Sequence, residues 1–314
     1  MKIVIVGIGA MGCIYAGLFK EAGHEVWGVD VRPDHINAIR GNGLYLTGAS
    51  GNRTIADIKV ALNPADAALS GPADMLVIAT KAGDVAAAAR ASAPLIGPQT
   101  MLLAIQNGLG AAERIADALP GASVMVGVAQ GFGAAIEAPG HCHHNGLALI
   151  RVGDVHHGIT PVVERCTALW REAGFQSKAY ADIDQLVWEK FVCNVALSGP
   201  CTVFDETVGE LMANPEHWAV AVGCTLEAYR AGQGRGVNFT YQDPVAYVTE
   251  FGSRLPDAKP SMLQDHRAQR LSEIGAINGM VPVIANEQGW QAPFNQTVAA
   301  VVRAGESRFG PARP

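Results

Sequence analysis

Lys190 has the surroundings of a residue that could move a proton. The segment 186–198 has a helical pattern, so Lys190, Asn194 and Ser198 fall on one face, flanked by apolar positions. Burial of an ammonium group is costly and lowers its pKa. A lysine that releases its proton near neutral pH can serve as the general acid in carbonyl reduction. The alternative is a lysine that extends to solvent beside Glu189.

Two further polar residues could act with this lysine. Glu273 lies in segment 271–279, and it could pair with Lys190 or hold a substrate hydroxyl. The alternative is a solvated glutamate on an amphipathic helix. Ser261 is a further candidate, although it follows Pro260 and precedes Gln264 by three positions, which is the pattern of a helix N-cap.

A glycine-rich turn near the N-terminus indicates a dinucleotide site. The pattern G-x-G-x-x-G is matched by Gly7, Ile8, Gly9, Ala10, Met11 and Gly12. A β-branched strand pattern precedes the turn and a helical pattern follows it, which is the setting the motif requires. In this interpretation Gly7 permits the tight turn, Gly9 lets a pyrophosphate approach, and Gly12 lets helix and strand pack closely.

The residues after the second predicted strand bear on the choice of cofactor. Asp30 lies about 20 residues beyond the glycines, where a carboxylate binds the adenosine ribose and repels the extra phosphate of NADP. Arg32 could instead receive that phosphate. We expect NAD(H), with NADP(H) as the alternative; Asp30 could also cap the loop while Arg32 is solvated.

Lys81 and Asn107 each come just after an apolar strand pattern, at 75–79 and 101–105. Ligands of open α/β sheets bind beyond the carboxyl ends of such strands, so both residues are candidates for the cofactor site. The alternative is ordinary loop polarity.

The run His141-Cys142-His143-His144 resembles a set of metal ligands. It follows Pro139-Gly140 and has a strand pattern, so alternate residues should point to opposite faces. A second ligand pair at zinc-site spacing is missing from the sequence. We therefore expect no metal, and we interpret His156-His157 as a turn.

Strand and helix patterns alternate up to about residue 181, which predicts a doubly wound, largely parallel sheet. From residue 182 the pattern is helical, with Asn214-Pro215, Asp243-Pro244 and Ala292-Pro293 marking helix starts. We therefore predict an α/β fold with a Rossmann domain over 1–181 and an all-helical domain over 182–314.

Composition excludes several classes of partner. The chain has 314 residues, 49% of them hydrophobic, and a net charge of −6 without a basic run, which argues against nucleic acid. No window approaches the length of a membrane span, and the N-terminus lacks a signal-peptide pattern. We expect a cytoplasmic protein whose six scattered cysteines are free and buried.

Several segments together resemble the ketopantoate (2-dehydropantoate) reductase family. They are GIGAMGC at 7–13, TKA at 80–82, QNGLG at 106–110, EAPGH at 137–141, WEK at 188–190 with Asn194, KPSMLQD at 259–265 and EIGAING at 273–279. The matches span nearly the whole chain in family order, and jointly they are highly specific.

The resemblance implies hydride transfer from a nicotinamide to the keto carbon of a 2-oxo acid. By analogy, Lys190 is the general acid, and Glu273 supports it or holds the substrate hydroxyl. Asn194 and Ser261 would bind the substrate, while Asn107 and Lys81 would line the nicotinamide side. A homodimer is expected.

The chain departs from the family pattern at two places. Ser198 stands where members that reduce ketopantoate commonly have a second asparagine, which favours another branched or aromatic 2-oxo acid. Asp30-Val31-Arg32 replaces the usual NADP-selecting arginine. One alternative is an NAD-dependent D-2-hydroxy acid (mandelate-type) dehydrogenase, which shares the scaffold. Another is a non-catalytic NAD(P) sensor, which would need neither Lys190 nor Glu273.

Overall fold

The chain forms two compact units. The computed structural model describes residues 1–130, 133–146, 149–154, 156 and 158–309. The first unit contains residues 1–106 and 110–183, and the second contains residues 107–109 and the chain from Asp184 onward. The boundary predicted from the sequence precedes Asp184 by two residues, and that prediction did not assign 107–109 to the second unit.

The described residues of the first unit form two sheets and six α-helices. Its strands are β1 (Lys2–Val6), β2 (Glu25–Val29), β3 (Leu44–Gly48), β4 (Arg53–Ile55), β5 (Lys59–Ala61), β6 (Met75–Ile78), β7 (Met101–Ala104), β8 (Val124–Gln130), β9 (Gly133–Ala138), β10 (His141–Gly146), β11 (Leu149–Asp154) and β12 (Gln176–Ala179). Its helices are α1 (Ala10–Glu21), α2 (Pro33–Asn42), α3 (Pro64–Ala68), α4 (Val85–Ala91), α5 (Ala111–Ala118) and α6 (Pro161–Glu172).

The main sheet has the predicted doubly wound form. Its strand order is β12-β11-β8-β7-β6-β1-β2-β5, and its pairs are parallel except for the antiparallel pair of β8 and β11. All five residues of β1 are buried, as expected of a central parallel strand. The chain proceeds from β1 to β2 on one side and later to β6 on the other. The carboxyl ends of β1 and β6 therefore flank the switch point where such sheets bind ligands.

A second, four-stranded sheet was not predicted. Its order is β4-β3-β10-β9, and it packs on α1 through buried side chains that include Leu44, Leu46 and Cys142. His141 and His143 are half-buried, whereas Cys142 and His144 are buried, which confirms the predicted alternation along β10. The predicted strand over 147–152 is observed from Leu149, and Leu147 and His157 lie outside the described residues.

Where it is described, the second unit contains helices joined by turns and loops, and no strand. Its helices are α7 (Ile183–Phe204), α8 (Val208–Ala213), α9 (Pro215–Gly234), α10 (Pro244–Ser253), α11 (Ser261–Arg267), α12 (Met280–Glu287) and α13 (Pro293–Glu306). The three predicted proline starts are confirmed at α9, α10 and α13. All six cysteines are free and buried, as expected. Among the described helices, none is long and apolar enough to cross a bilayer.

The close approach of α1 to the glycine turn predicts a specific loss of stability. A Cβ on Gly12 would lie 2.1 Å from the Gly7 carbonyl oxygen, so Gly12→Ala must push the helix away from the turn. We expect a loss of about 1–3 kcal/mol, measured as the free energy of unfolding without cofactor. Gly41→Ala in α2 is the matched control, because its Cβ would meet nothing within 4 Å. The control should be neutral or stabilising by up to about 1 kcal/mol. Equal effects of the two substitutions would contradict the packing argument.

Candidate functional site

The glycine turn at the end of β1 is closed on both sides by backbone. The N–H groups of Gly7 and Ile8 donate to the carbonyl of Val29 at 2.8 and 3.1 Å, which ties the turn to the end of β2. Gly7 has φ +98°, and a Cβ there would lie 2.6 Å from the backbone nitrogen of Thr80, beyond β6. Only glycine fits such a position.

A third side of this turn, at the start of helix α1, is open. Gly9 is the N-cap of α1, which has no side-chain cap, and a Cβ on Gly9 would meet none of the described atoms within 4 Å. Ala10 and Met11 form the first turn of the helix, so their N–H groups lie at its positive end. Open space before an uncapped helix N-terminus fits a bound pyrophosphate.

Asp30 and Arg32, which the sequence offered as alternatives, are partners. The Asp30 carboxylate accepts from Arg32 Nε at 3.0 Å and from the Arg32 backbone N–H at 3.1 Å. The Asp30 side chain is 10% exposed and that of Arg32 is 41% exposed. Burial lowers the pKa of Arg32, but hydrogen bonding and the charge of Asp30 raise it above its ordinary value.

The predicted residues after β6 and β7 fall in different units. Lys81 belongs to the first unit, where it is exposed and precedes a short 3-10 turn, Ala82–Asp84. Asn107 belongs to the second unit, where its Nδ2 donates to Glu273 Oε2 at 3.4 Å. The next two residues also attach to the second unit: Leu109 N–H donates to Ala276 O at 3.1 Å, and a Cβ on Gly108 would lie 2.3 Å from that oxygen. The positive φ of Gly108, +79°, explains the glycine in this motif.

Lys190, Asn194 and Ser198 lie on α7 at one-turn spacing. Lys190 and Asn194 are half-buried, and Ser198 is buried. Burial lowers the pKa of Lys190 to about 8, and the negative charge of Glu273 opposes that shift. Glu189 does not offer the solvent-exposed partner considered above, because it is buried and accepts from Thr240 N–H at 2.8 Å and Thr240 Oγ1 at 2.6 Å.

The polar side chain of Asn278 packs against α7 at Gly199, which follows Ser198 and precedes Pro200. A Cβ on Gly199 would lie 2.4 Å from Asn278 Oδ1, and Asn278 Nδ2 donates to Val195 O at 2.9 Å. Pro200 lies inside the helix and has no N–H to donate. Gly199-Pro200 therefore makes room for a buried asparagine from segment 273–279.

Two of the alternative interpretations in the second unit do not match the structure. Glu273 is not on a helix: it lies at a bend, and residues 274–279 form turns before α12, consistent with the turn-forming residues Gly275 and Asn278. Ser261 is not an N-cap, because it is the first residue of α11 and Pro260 occupies the cap position. The Gln264 side chain donates instead to Lys259 O at 2.8 Å.

The histidine run does not form a metal centre of three ligands in the part of the chain that the structure describes. His141 and His143 both contact Thr47 Oγ1, at 3.2 and 3.0 Å. His144 is buried on the opposite face of β10. The expected absence of a metal stays a prediction.

Two family models cover most of this chain. The model described as Ketopantoate reductase PanE/ApbA matches residues 3–157, and the model described as Ketopantoate reductase PanE/ApbA C terminal matches residues 182–306. The chain belongs to the ketopantoate reductase family. The family and fold class predicted from the sequence are thereby confirmed.

Individual relatives of this family member are distant but match over the full length. A 2-dehydropantoate 2-reductase of Streptococcus pyogenes is 28% identical over 308 residues, 98% of each chain. The solved 2-dehydropantoate 2-reductase of Geobacter metallireducens has a TM-score of 0.87 and 29% identity, covering 97% of this chain and 99% of that one. A D-mandelate dehydrogenase, solved with NADH and anilino(oxo)acetate, has a TM-score of 0.90 at 22% identity, over 98% and 99% of the two chains. At that identity it shows a shared fold alone.

The depressed pKa of Lys190 predicts a pH-dependent cost in stability. The folded-state pKa, about 8, lies below the unfolded value near 10.5, so the protonated lysine destabilises the fold below pH 8. That cost in stability should fade as pH rises from the folded-state pKa of about 8 to the unfolded value near 10.5. Because burial outweighs the attraction of Glu273, Lys190→Met should raise stability at pH 7 by on the order of 1–2 kcal/mol.

The measurement is the unfolding free energy of both proteins between pH 6 and about 10.5. The gain from Lys190→Met should shrink as pH rises. Lys59→Met is the matched control, since the Lys59 side chain is 51% exposed and should give no gain. A Lys190→Met protein that is less stable than wild type at pH 7 would contradict the interpretation.

Proposed function

We propose that this chain reduces the keto group of a 2-oxo acid by hydride transfer from NAD(P)H, as a 2-dehydropantoate 2-reductase-like enzyme. The observation that carries the proposal is Lys190, a half-buried lysine one helical turn from Asn194, whose pKa burial lowers to about 8 while the charge of Glu273 opposes that shift. It occurs in a chain whose family is named for a ketoacid reductase. The non-catalytic sensor is disfavoured, because dinucleotide binding alone needs no such pair.

Reduction of the keto group creates negative charge on its oxygen, and a proton donor must neutralise that charge. As hydride reaches the carbonyl carbon, negative charge develops on the oxygen. Lys190, still protonated below pH 8, donates a proton to that oxygen, and Glu273 keeps the ammonium form available. Asn194, Ser198 and Ser261 are proposed to bind the substrate, with Asn194 one turn beyond Lys190 on α7.

The chain uses a nicotinamide dinucleotide, as its family does. We propose that residues 7–12 hold the pyrophosphate, since the open side of Gly9 and the uncapped start of α1 fit it. Lys81 and Asn107 are proposed for the nicotinamide side. The bound nicotinamide supplies the hydride.

The Asp30–Arg32 pair supports NAD over NADP. Arg32 is already engaged by the Asp30 carboxylate, so a 2′-phosphate would have to compete for the guanidinium while facing that carboxylate. A ribose hydroxyl makes no such demand and can donate to Asp30.

The enzymatic alternative is an NAD-dependent D-2-hydroxy acid dehydrogenase. The solved D-mandelate dehydrogenase has the same fold, and Ser198 in place of a second asparagine favours an aromatic or another branched acid over ketopantoate. Nicotinamide absorbance with a panel of 2-oxo acids, including ketopantoate and aromatic members, separates the two functions. A homodimer and a cytoplasmic location stay predictions.

Lys190→Ala should lower kcat for the best 2-oxo acid by about 10²–10⁴-fold, because the developing alkoxide loses its proton donor. Affinity for the dinucleotide should be nearly unchanged. Lys190→Arg should not restore the rate, since a guanidinium does not release a proton at working pH. The measurement is steady-state and single-turnover oxidation of the reduced cofactor, with Lys59→Ala as the surface control. Near-normal kcat with chemistry rate-limiting would remove Lys190 from the mechanism and make Lys81 the next candidate.

NADH should give a higher kcat/KM than NADPH. Asp30→Ala should lower kcat/KM with NADH, because it removes a ribose partner. It should raise kcat/KM with NADPH, because it frees Arg32 to receive the phosphate. In the Asp30→Ala background, Arg32→Ala should then weaken NADPH more than NADH. A wild-type enzyme that strongly prefers NADPH would show that Arg32, rather than Asp30, is the determinant.

A further inference from the structure

A residue at the end of helix α13 is hydrogen-bonded to the segment that contains Glu273. Glu306 Oε1 accepts hydrogen bonds from the N–H and the hydroxyl of Ser272, at 2.7 and 2.6 Å. Ser272 Oγ in turn accepts from the N–H of Ile274 at 3.3 Å. The residue before Glu273 and the residue after it are therefore fixed by one hydrogen-bonded chain that ends on Glu306.

The same carboxylate reaches the helix that begins with Ser261. His266, on α11, places its Nε2 3.5 Å from Glu306 Oε1, and its ring packs edge-on against Phe309 at 5.1 Å. The side chains of His266 and Glu306 are only 15% and 10% exposed. One largely buried carboxylate thus joins the helix of Ser261 to the segment of Glu273.

The last turn of α13 is shaped around these contacts. A Cβ on Gly305 would lie 3.2 Å from His266 Cε1, and a Cβ on Gly279 would lie 2.5 Å from Arg303 Nη2. Glu306 is the final residue of α13, where the helix dipole disfavours a negative charge. The carboxylate therefore weakens its own helix, and its hydrogen bonds are those it accepts from Ser272.

We propose that Glu306 is a positioning residue for the reaction: through Ser272 it fixes Glu273, and through Glu273 it controls the proton on Lys190. The inference rests on the proposed function, in which Lys190 is the proton donor. Glu306 itself acts on Ser272 and His266 and not on the reacting atoms.

The electrostatic consequence has a definite sign. Burial lowers the pKa of Lys190, and the charge of Glu273 opposes that effect. If Glu273 moves away, the opposition weakens and Lys190 loses its proton at a lower pH. Reduction, which needs the protonated lysine, should then fail earlier as pH rises.

Glu306→Gln tests this with little change in volume. At saturating substrate and cofactor, kcat should fall about tenfold to a hundredfold, as expected for a displaced catalytic group. The alkaline limb of the kcat–pH profile should move down by about half a pH unit or more. Affinity for NADH, measured by fluorescence titration, should change much less than kcat, since the proposed pyrophosphate site at residues 7–12 lies in the other unit. Glu250→Gln is the matched control: Glu250 is an exposed glutamate that pairs with Arg254 on α10, and its loss should alter neither value.

Two further variants keep the test decisive. Ser272→Ala removes the hydroxyl contact and leaves the backbone N–H, so it should shift the profile in the same direction by less. In a Glu273→Gln background, Glu306→Gln should produce no further shift, because the group through which it acts carries no charge.

The two proposals fail in different ways. A wild-type protein that reduces no 2-oxo acid would overturn the proposed function. An active wild type whose Glu306→Gln variant is merely less heat-stable, with wild-type kcat and pH profile, would overturn the positioning role. A shift of equal size in the Glu273→Gln background would also overturn it, because Glu306 would then act by another route.

Discussion

A half-buried ammonium group is the constraint around which the proposed site is organised. Helix α7 carries Lys190 into a setting that disfavours its charge, and the compensating carboxylate, Glu273, comes from a distant turn segment. Asn107 donates to that carboxylate, and Glu306 anchors the residue next to it. These two contacts thus support the placement of one opposing charge, and the half-buried lysine carries a cost in stability that an apolar residue at position 190 would not impose.

The parts of the fold that the sequence predicted are those with strong local signals. Consecutive apolar residues identify β1, and the glycines of residues 7–12 identify the turn after it. The second sheet escaped prediction although a strand was expected at β10, because β4 has only three residues. A strand that short cannot show the apolar alternation from which strands are inferred.

The sequence predicted where some of the proposed site residues lie on their elements, but not their contacts. Lys190, Asn194 and Ser198 share a face because helical periodicity fixes their spacing. The alternative that placed Glu273 on an amphipathic helix fails because Gly275 and Asn278 favour turns. Glu306 lies far along the chain from Ser272, and no local pattern reveals such a pair. Asp30 and Arg32 were considered as rivals, whereas their two-residue separation allows the loop to join them.

The tripeptide 107–109 has a consequence for the order in which the chain can fold. It follows β7, but it is built into the second unit, where Leu109 joins the apolar core and donates to Ala276. During synthesis these three residues emerge long before Asp184 and the helices that enclose them. The second unit therefore cannot complete its core from its own contiguous stretch of chain. Contacts between residues so far apart in sequence slow folding, because the intervening chain must first be brought together. While the chain is still on the ribosome, Leu109 would be present before the residues of the second unit that it packs against have been synthesised.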